Sequence, residues 1–315
     1  MIETSLAPPP VAVFEGSGTA PMPLLWAQRE LWDIIQDLVP RDYVTNAGRV
    51  VEAPRRRIGI GAAATAIGHL LSRHEILRIR VVGDDDPRQE VLTRGCCEIT
   101  LVETTAELAR AEARPLMERL RTVRFASDRE LPARFGLIVV DGLVHYVTFA
   151  ASHVSADGHV LDQLARDLRM LLLGRSLPPR SGLGLADLVA RQQSAGSRHT
   201  RKALAHWRDG LLRVPQTTFA ARPESAEPRY RYPVLTSAAM LGAARRLAAV
   251  HRTTTSIVLL AATVGAIAEL TGHGTCGLLI HVSNRFRSEC ATVVAPAAQM
   301  GLVVVEVGGR PEWSE

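Results

Sequence analysis

One short segment holds the residue types best suited to chemistry, and it reads Ser152-His153-Val154-Ser155-Ala156-Asp157-Gly158. An imidazole can take a proton from an attacking amine or hydroxyl near neutral pH. A carboxylate at Asp157 can fix the loop or meet an arginine, and Gly158 permits a tight turn into a following helix, whose N-terminus favours negative charge on a carbonyl oxygen. A histidine after a strand is also common as an ordinary loop residue, so chemistry at His153 stays one of two interpretations.

Other familiar sites are absent from the sequence. Gly59-Ile60-Gly61 has no third glycine at dinucleotide-loop spacing, and His74-Glu75 lacks the second histidine of a zinc-protease helix. We expect no metal site and no bound cofactor, since neither the histidines nor the cysteines have ligand spacing. The four cysteines are expected to be reduced thiols: Cys96, Cys97, Cys276 and Cys290.

Composition narrows the class of protein. The chain has 315 residues, of which 47% are hydrophobic and 22% charged, which predicts a globular protein of about two lobes. The net charge is +5, but Lys202 is the only lysine and the arginines are scattered among acidic residues. That pattern, with only 4% aromatic residues, argues against nucleic-acid binding. The N-terminus has no signal pattern and the longest apolar run is too short for a bilayer, so we expect a cytoplasmic protein without membrane contact.

Hydrophobic spacing and turn residues divide the chain into three parts. Residues 1–22 read as an irregular lead-in, 23–178 as an N-terminal lobe and 179–315 as a partial C-terminal lobe. Helices are predicted at 27–38, 61–72, 106–121 (kinked or divided at Pro115), 186–212 and 253–270, and a further helix follows the His153 segment and is ended by Gly174. Strands are predicted at 79–82, 135–140, 143–150, 277–282 and 302–307, the last two buried. This alternation predicts layered α/β architecture.

The clearest local signal is a hairpin just before the His153 segment. Asp141-Gly142 separates two apolar or alternating runs, and this pair suits a turn in which both residues have positive φ. His153 therefore lies on a strand-to-helix connection, where proteins often place functional residues.

Five landmarks in chain order resemble those of the condensation domains of non-ribosomal peptide synthetases, within the chloramphenicol-acetyltransferase-like acyltransferases. The His153 segment resembles the HHxxxDG motif of that family. Pro23-Leu24, Ala27-Gln28-Arg29 and Leu31-Trp32 together are similar to the opening motif of the family. The other three landmarks are Arg73-His74-Glu75 with Leu77-Arg78, then His206-Trp207, and then Ser283-Asn284-Arg285 with Gln299.

The resemblance implies two chloramphenicol-acetyltransferase-like lobes and an acyl transfer between substrates held on the phosphopantetheine arms of carrier proteins. It implies that His153 acts as general base or orients the amine, that Asp157 holds the loop through an arginine, and that Gly158 leaves a backbone N–H and space near the oxyanion. Ser152, Asn284, Arg285 and Gln299 would be supporting residues. We expect Arg285 to pair with Asp157; the alternative is that Asp157 only caps the following helix.

Two departures from the family pattern keep other functions open. Ser152 stands where the family has its first histidine, and family domains continue well beyond the strand at 302–307. A catalytically degenerate module that binds carrier proteins or other synthetase modules is therefore the alternative to an acyltransferase that forms an amide or ester. A further alternative is an acyl-CoA-dependent O-acyltransferase, which shares the HHxxxDG signature.

Overall fold

The computed structural model describes residues 8–54, 58–83, 85–179, 183–194, 198–219, 234–286 and 288–308. The strands are β1 Val11–Glu15, β2 Thr19–Pro23, β3 Ala47–Glu52, β4 Ile79–Val82, β5 Arg88–Val91, β6 Arg94–Glu103, β7 Ala133–Val140, β8 Leu143–Ala151, β9 Thr275–Val282 and β10 Gln299–Glu306. The α-helices are α1 Trp26–Asp37, α2 Ile60–Arg73, α3 Ala109–Arg121, α4 Gly158–Leu172, α5 Leu185–Gln193, α6 Arg198–Leu211, α7 Ala238–Val250, α8 Thr255–Thr271 and α9 Ser288–Ala291. The mixed α/β architecture predicted from the sequence is confirmed.

A five-stranded sheet in the order β1-β6-β7-β8-β3 carries the site. Strands β6 and β7 are parallel, and the other neighbouring pairs are antiparallel. The predicted β7–β8 hairpin is confirmed: Asp141 and Gly142 have φ of 50° and 74°, and Val140 lies opposite Leu143. Both turn residues adopt positive φ, as a two-residue turn of this kind requires.

Helices cover both faces of this sheet, so β7 is apolar on both sides. Phe135, Leu137 and Val139 belong to the core formed with α2 and α4. Ile138 and Val140 point to the opposite face, where α3 contributes Ala109, Ala113, Leu116 and Leu120. Successive side chains of a strand alternate between faces, so the continuous apolar run of β7 is what a central strand in three layers needs.

A buried ion pair joins the helix that follows the site to its neighbour α2. His74 Nε2 lies 2.9 Å from Asp167 Oδ2, with the His74 side chain only 4% exposed. Burial alone would raise the pKa of the Asp167 carboxyl, but the hydrogen bond and charge of His74 and the charge of Arg73 outweigh it and hold that pKa below its ordinary value. The Arg73-His74 landmark thus anchors α4.

The segment predicted to be an irregular lead-in contains two strands. Ala12 and Phe14 of β1 point into the core while their neighbours are exposed, and β1 pairs with β6. Strand β2 holds Pro21 and Pro23 at the edge of a three-stranded sheet ordered β2-β5-β4, where a missing N–H is tolerated. The prediction of irregular structure for 1–22 is wrong there; residues 1–7 lie outside the described residues.

Two helix predictions also need correction. Helix α3 runs unbroken from Ala109 to Arg121 and contains Pro115, so the predicted division there is wrong. Leu116 and Leu120, which follow the proline, pack against the sheet and hold this part of the chain in the helix. The single helix predicted for 186–212 is instead α5 and α6, and α5 ends at Gln193 before Ser194, since serine and glycine there are weak helix formers. The polar stretch at 220–233 lies outside the described residues.

The chain forms two compact units, 1–195 with 282–299, and 196–281 with 300–315. The segment 282–299, which the predicted boundary assigns to the C-terminal lobe, thus belongs to the first unit. The boundary at 178 and 179 stays a prediction, because lobes of a family fold and compact units need not coincide.

The second unit contains α6, α7, α8 and most of the two-stranded sheet of β9 and β10. The predicted cap of α8 is present, with Thr254 accepting from the Ile257 N–H and Gly272 ending the helix at a φ of 71°. Strands β9 and β10 are mostly half-buried instead of buried, since among the described residues they pair only with each other. Helix α8 buries only Val264 and Gly265, leaving Leu270 76% exposed.

Within the described ranges no single helix is long and apolar enough to cross a membrane. Helices α7 and α8 meet the length and composition criteria only as a pair, and that pair is bent by 107°.

Candidate active site

The loop between β8 and α4 fixes the orientation of His153. Its half-buried imidazole places Nδ1 2.8 Å from the backbone carbonyl oxygen of Ala156. A carbonyl oxygen can only accept, so Nδ1 carries the proton in this contact and Nε2 of the neutral ring is left with its lone pair. The loop therefore presents His153 as a proton acceptor at Nε2.

Ser152 supports this loop through its backbone. Its N–H donates to the Pro132 carbonyl oxygen at 2.9 Å, and its own carbonyl oxygen accepts from the N–H and Oγ of Ser155 at 3.0 and 2.8 Å. These bonds do not depend on the side chain at position 152, which is buried. Loop support at this position is thus compatible with serine in place of histidine.

Asp157 is the hub that joins the loop to a distant segment. Its Oδ1 accepts from the Val160 N–H at 2.9 Å and so caps α4. Its Oδ2 accepts from Arg285 Nη1 at 3.0 Å and from the N–H groups of Ala297 and Ala298 at 3.1 and 3.3 Å. The predicted pairing with Arg285 is confirmed, and the helix cap offered as its alternative is present at the same carboxylate.

The environment of Asp157 keeps it ionised. Both side chains of the pair are only 7% exposed. Burial alone would raise the pKa of the Asp157 carboxyl, but hydrogen bonds from the Val160 and Ala297 N–H groups and the charge of Arg285 outweigh it. The pKa of Asp157 therefore lies below its ordinary value, and the loop is held by a charged contact.

Arg285 is held from several sides by the segment that carries it. It donates to the carbonyl oxygens of Ala295 and Ser283 at 2.8 and 3.2 Å, while its buried Nε has no hydrogen-bond partner among the described residues. Asn284 next to it has a φ of 54°, in the left-handed region that asparagine tolerates better than most residues. Its Nδ2 donates to the Ala297 carbonyl oxygen at 2.9 Å and to Gln299 Oε1 at 3.2 Å. Asn284 and Gln299 thus tie together the two ends of the segment that binds Asp157.

Gly158 does not have the conformation expected from the sequence. Its φ is outside the left-handed region, so the turn into α4 does not itself require glycine. A Cβ added there would meet no atom within 4 Å, and the residue is exposed. What glycine provides at this position is open space beside the first turn of α4.

The surroundings of His159, the next residue along α4, favour the neutral form of its imidazole. Burial lowers the pKa of its imidazole, and the charge of Arg285 lowers it further.

Among the residues that the structure describes, no group of three histidine, cysteine or acidic side chains could hold a metal ion.

Two cavities of about 500 and 770 Å³ lie elsewhere in the first unit. They are lined mainly by α2 and the segment that follows α4, and neither is lined by His153, Asp157 or Arg285. Cavity size therefore does not mark this site; side-chain geometry does.

Sequence reasoning missed the backbone groups of the site. The Ala156 carbonyl oxygen orients His153, and the Ala297 and Ala298 N–H groups bind Asp157. Alanine has no polar side chain that could signal such a role. Only the nearby landmark at Ser283-Asn284-Arg285 pointed to this part of the chain.

The family comparison decides what kind of domain this is. The model of the Condensation domain family matches residues 22–295. The chain belongs to the condensation-domain family. Condensation domains occur in synthetases of secondary metabolites and act on carrier-bound substrates.

Curated relatives are large synthetases of which this condensation domain spans a small part. One, from Salinispora arenicola (strain CNS-205), is named "Probable non-canonical nonribosomal peptide synthetase (NRPS) CymA"; it is 29% identical over 273 residues, which are 81% of this chain and 3% of the relative. The isonitrile lipopeptide synthase of Mycobacterium tuberculosis (strain ATCC 25618 / H37Rv) is 24% identical over 94% of this chain and 12% of its own length.

Solved condensation domains share the fold. The condensation domain of the monacolin K polyketide synthase MokA matches with a TM-score of 0.70 at 17% identity, over 92% of this chain and 68% of that structure. The X-domain structure from teicoplanin biosynthesis, a complex with OxyB, matches with a TM-score of 0.72 at 18% identity, over 94% of this chain and 67% of that one. This condensation domain thus has the family fold and spans about two thirds of the length of these structures.

Proposed function

We propose that this condensation domain is an acyltransferase that forms an amide or ester bond in the synthesis of a non-ribosomal peptide or related secondary metabolite. The donor is an acyl or peptidyl thioester on the phosphopantetheine arm of a carrier protein, and the acceptor is an amine or hydroxyl. The partners are acyl or peptidyl carrier proteins and other synthetase modules. The observation that carries the proposal is the orientation of His153, whose Nδ1 donates to Ala156 and whose Nε2 is left to accept.

The reaction uses that nitrogen in a balanced step. The acceptor nitrogen or oxygen attacks the thioester carbonyl carbon, the new C–N or C–O bond forms, and the C–S bond breaks. His153 Nε2 accepts the proton of the nucleophile, or holds its N–H or O–H by a hydrogen bond, and the proton leaves with the thiol of the arm. Both roles need the tautomer that the Ala156 carbonyl oxygen selects.

The start of α4 supports stabilisation of the tetrahedral intermediate. The N-terminal end of a helix carries partial positive charge and favours negative charge on a carbonyl oxygen. Gly158 begins α4 with open space at its Cβ position, so that a substrate group can approach the backbone there. Asp157 and Arg285 have a structural part in this proposal, since the carboxylate already accepts from several donors.

Mutation of His153 tests the proposal. In an assay with acyl-loaded carrier protein and an acceptor, His153→Ala should lower the rate about a hundredfold or more, because one acid–base group contributes about 10²–10⁴-fold. The matched control is Ser152→Ala, which keeps both backbone contacts of that residue and should change the rate little. Equal rates for His153→Ala and the unaltered chain, with both proteins folded, would exclude a catalytic role for His153.

The second candidate function is a non-catalytic module that binds a synthetase partner. Serine at position 152 favours it, as does the similarity to the X-domain whose solved structure is a complex with OxyB. On this alternative, carrier-protein binding persists in His153→Ala and no transfer is seen with the unaltered chain. Transfer that depends on His153 would rule it out.

A further inference from the structure

Two fully buried glutamine side chains form a reciprocal amide pair beneath the His153 loop. Gln28 Nε2 donates to Gln89 Oε1 at 3.0 Å, and Gln89 Nε2 donates to Gln28 Oε1 at 2.8 Å. Both side chains are 0% exposed. Gln28 lies in the first turn of α1 and Gln89 in β5, so the pair joins two elements that are distant in sequence.

Other contacts leave this pair no freedom to rotate its amides. Gln28 Oε1 also accepts from the Leu25 N–H at 3.0 Å, and Gln89 Nε2 also donates to the Pro23 carbonyl oxygen at 3.0 Å. Exchanging the oxygen and nitrogen of Gln28 would set an amide NH₂ against the Leu25 N–H and against Gln89 Nε2. The network therefore fixes which way Gln28 Nε2 points.

The remaining hydrogen of Gln28 Nε2 is directed at the site. It is donated to the carbonyl oxygen of Val154 at 3.1 Å. Val154 follows His153 directly and is 1% exposed, and it lies in the loop between β8 and α4. A buried carbonyl group without its donor is costly, so loss of this bond would be expected to move the peptide next to His153.

We infer that Gln28 is a positioning residue for His153, acting through its hydrogen bond to the Val154 carbonyl oxygen, and that the Leu25 N–H and Gln89 together hold Gln28 in the orientation this requires. The inference rests on the proposed function for its effect on rate. Its geometric part, the placement of the His153 ring, does not depend on any activity. Small displacements of a catalytic group lower rates strongly, by up to about 10²-fold for about 1 Å.

A pair of matched variants tests the inference. Gln28→Met and Gln89→Met each remove one amide from the same buried pair with little change in side-chain length. Only Gln28→Met removes the donor to Val154, because in Gln89→Met the Leu25 N–H still binds Gln28 Oε1 and keeps the amide nitrogen turned toward Val154. We expect Gln28→Met to lower kcat about ten- to a hundredfold with little change in KM, and Gln89→Met to lower it clearly less.

A second measurement reports on the ring itself. With ¹⁵N-labelled histidine, and His153 assigned from the spectrum of His153→Ala, ¹⁵N chemical shifts under mildly alkaline conditions show which ring nitrogen carries the proton. The unaltered chain and Gln89→Met should show the proton on Nδ1, whereas Gln28→Met should show a mixture of tautomers, since the contact with Ala156 is disturbed. A change of that kind is not produced by a general loss of stability.

The outcomes separate this inference from the proposed function. If Gln28→Met keeps the wild-type ¹⁵N shifts and is no slower than Gln89→Met, Gln28 is only a packing residue and the inference is wrong. If the unaltered chain transfers no acyl group but Gln28→Met alone shifts the tautomer, the positioning role holds and the proposed function fails. Should Gln28→Met not fold, Gln28→Asn and Gln89→Asn, which keep an amide but shorten its reach, provide the same comparison.

Discussion

Asp157→Ala and Arg285→Ala should lower the stability of the fold by unequal amounts. The contacts that each residue makes indicate which substitution costs more. Breaking a buried ion pair from one side costs about 3–5 kcal/mol. After Arg285→Ala, the carboxylate keeps three backbone N–H donors, so we expect a cost near the low end, about 3 kcal/mol.

Asp157→Ala should cost more, for three reasons. It leaves a buried guanidinium whose Nε already lacks a partner and which has only the carbonyl oxygens of Ser283 and Ala295 to bind. It removes the cap of α4, worth about 1 kcal/mol. It also takes the acceptor from two N–H groups, at about 1 kcal/mol or more each where they are buried. The total is about 5 kcal/mol or more, from the same terms.

The double variant should show coupling between the two residues. With both charges gone, no buried charge is left alone, and the double variant should cost about 2–3 kcal/mol less than the sum of the single variants. The control is the exposed pair of Arg49 Nε and Asp162 Oδ1, which are 2.8 Å apart on β3 and α4 with side chains 36% and 61% exposed. Its single variants should each cost about 1 kcal/mol or less.

Native-state hydrogen exchange of peptides from β7 and β8 is the suitable assay. Both residues of the pair belong to the same compact unit, and a chain with two units need not unfold in one step. Additive effects to within about 0.5 kcal/mol, or an Arg285→Ala variant no worse than the exposed control, would refute the reasoning that the loop depends on this ion pair.

Two further predictions concern the effect of acid on the stability contributed by Asp157 and self-association of the chain through apolar surface. The folded pKa of Asp157 lies below its ordinary 3.8, so its contribution to stability is complete above pH 3.8 and is lost as the pH falls through the folded pKa. The stability difference between the unaltered chain and Asp157→Asn, measured by hydrogen exchange of β7 and β8 peptides, should therefore shrink on acidification below pH 3.8, and a difference independent of pH there would contradict the assignment. The isolated chain should self-associate through the apolar surface of its second unit, as measured by size-exclusion chromatography with light scattering. Leu270→Glu should reduce the self-association, whereas Val123→Glu, at a position in the first unit that is 54% exposed, should not. A compact monomer would contradict this prediction.

The parts of the fold that sequence reasoning found are those with a local cause. The β7–β8 turn needs residues that tolerate positive φ, and Asp141-Gly142 supplies them at the chain positions where they act. The cap at Thr254 and the end of α8 at Gly272 are local in the same way. Strand β1 was missed because nearby prolines and glycines suggested irregular structure, while its partner β6 lies far along the chain.

The site shows the same division between local and distant causes. The spacing of His153 and Asp157 is visible in seven residues, and the pairing with Arg285 followed only from a resemblance that placed a remote landmark beside the loop. The donors at Ala297 and Ala298 lie 140 and 141 residues from Asp157 along the chain, and Gln28 and Gln89 lie 61 residues apart. No pattern of period two or 3.6 encodes such contacts.

These contacts also explain which positions of the segment 152–158 depend on residue type in this chain. Ser152 acts through its N–H and carbonyl groups, which any residue other than proline possesses, and Gly158 has a backbone conformation open to other residues. His153 and Asp157 differ, because a ring nitrogen with a free lone pair and a carboxylate that binds one guanidinium and three N–H groups have no backbone substitute. Serine at position 152 therefore keeps the backbone contacts that hold the loop. Loss of Asp157 would release the loop from α4 and from the segment of Arg285 at once.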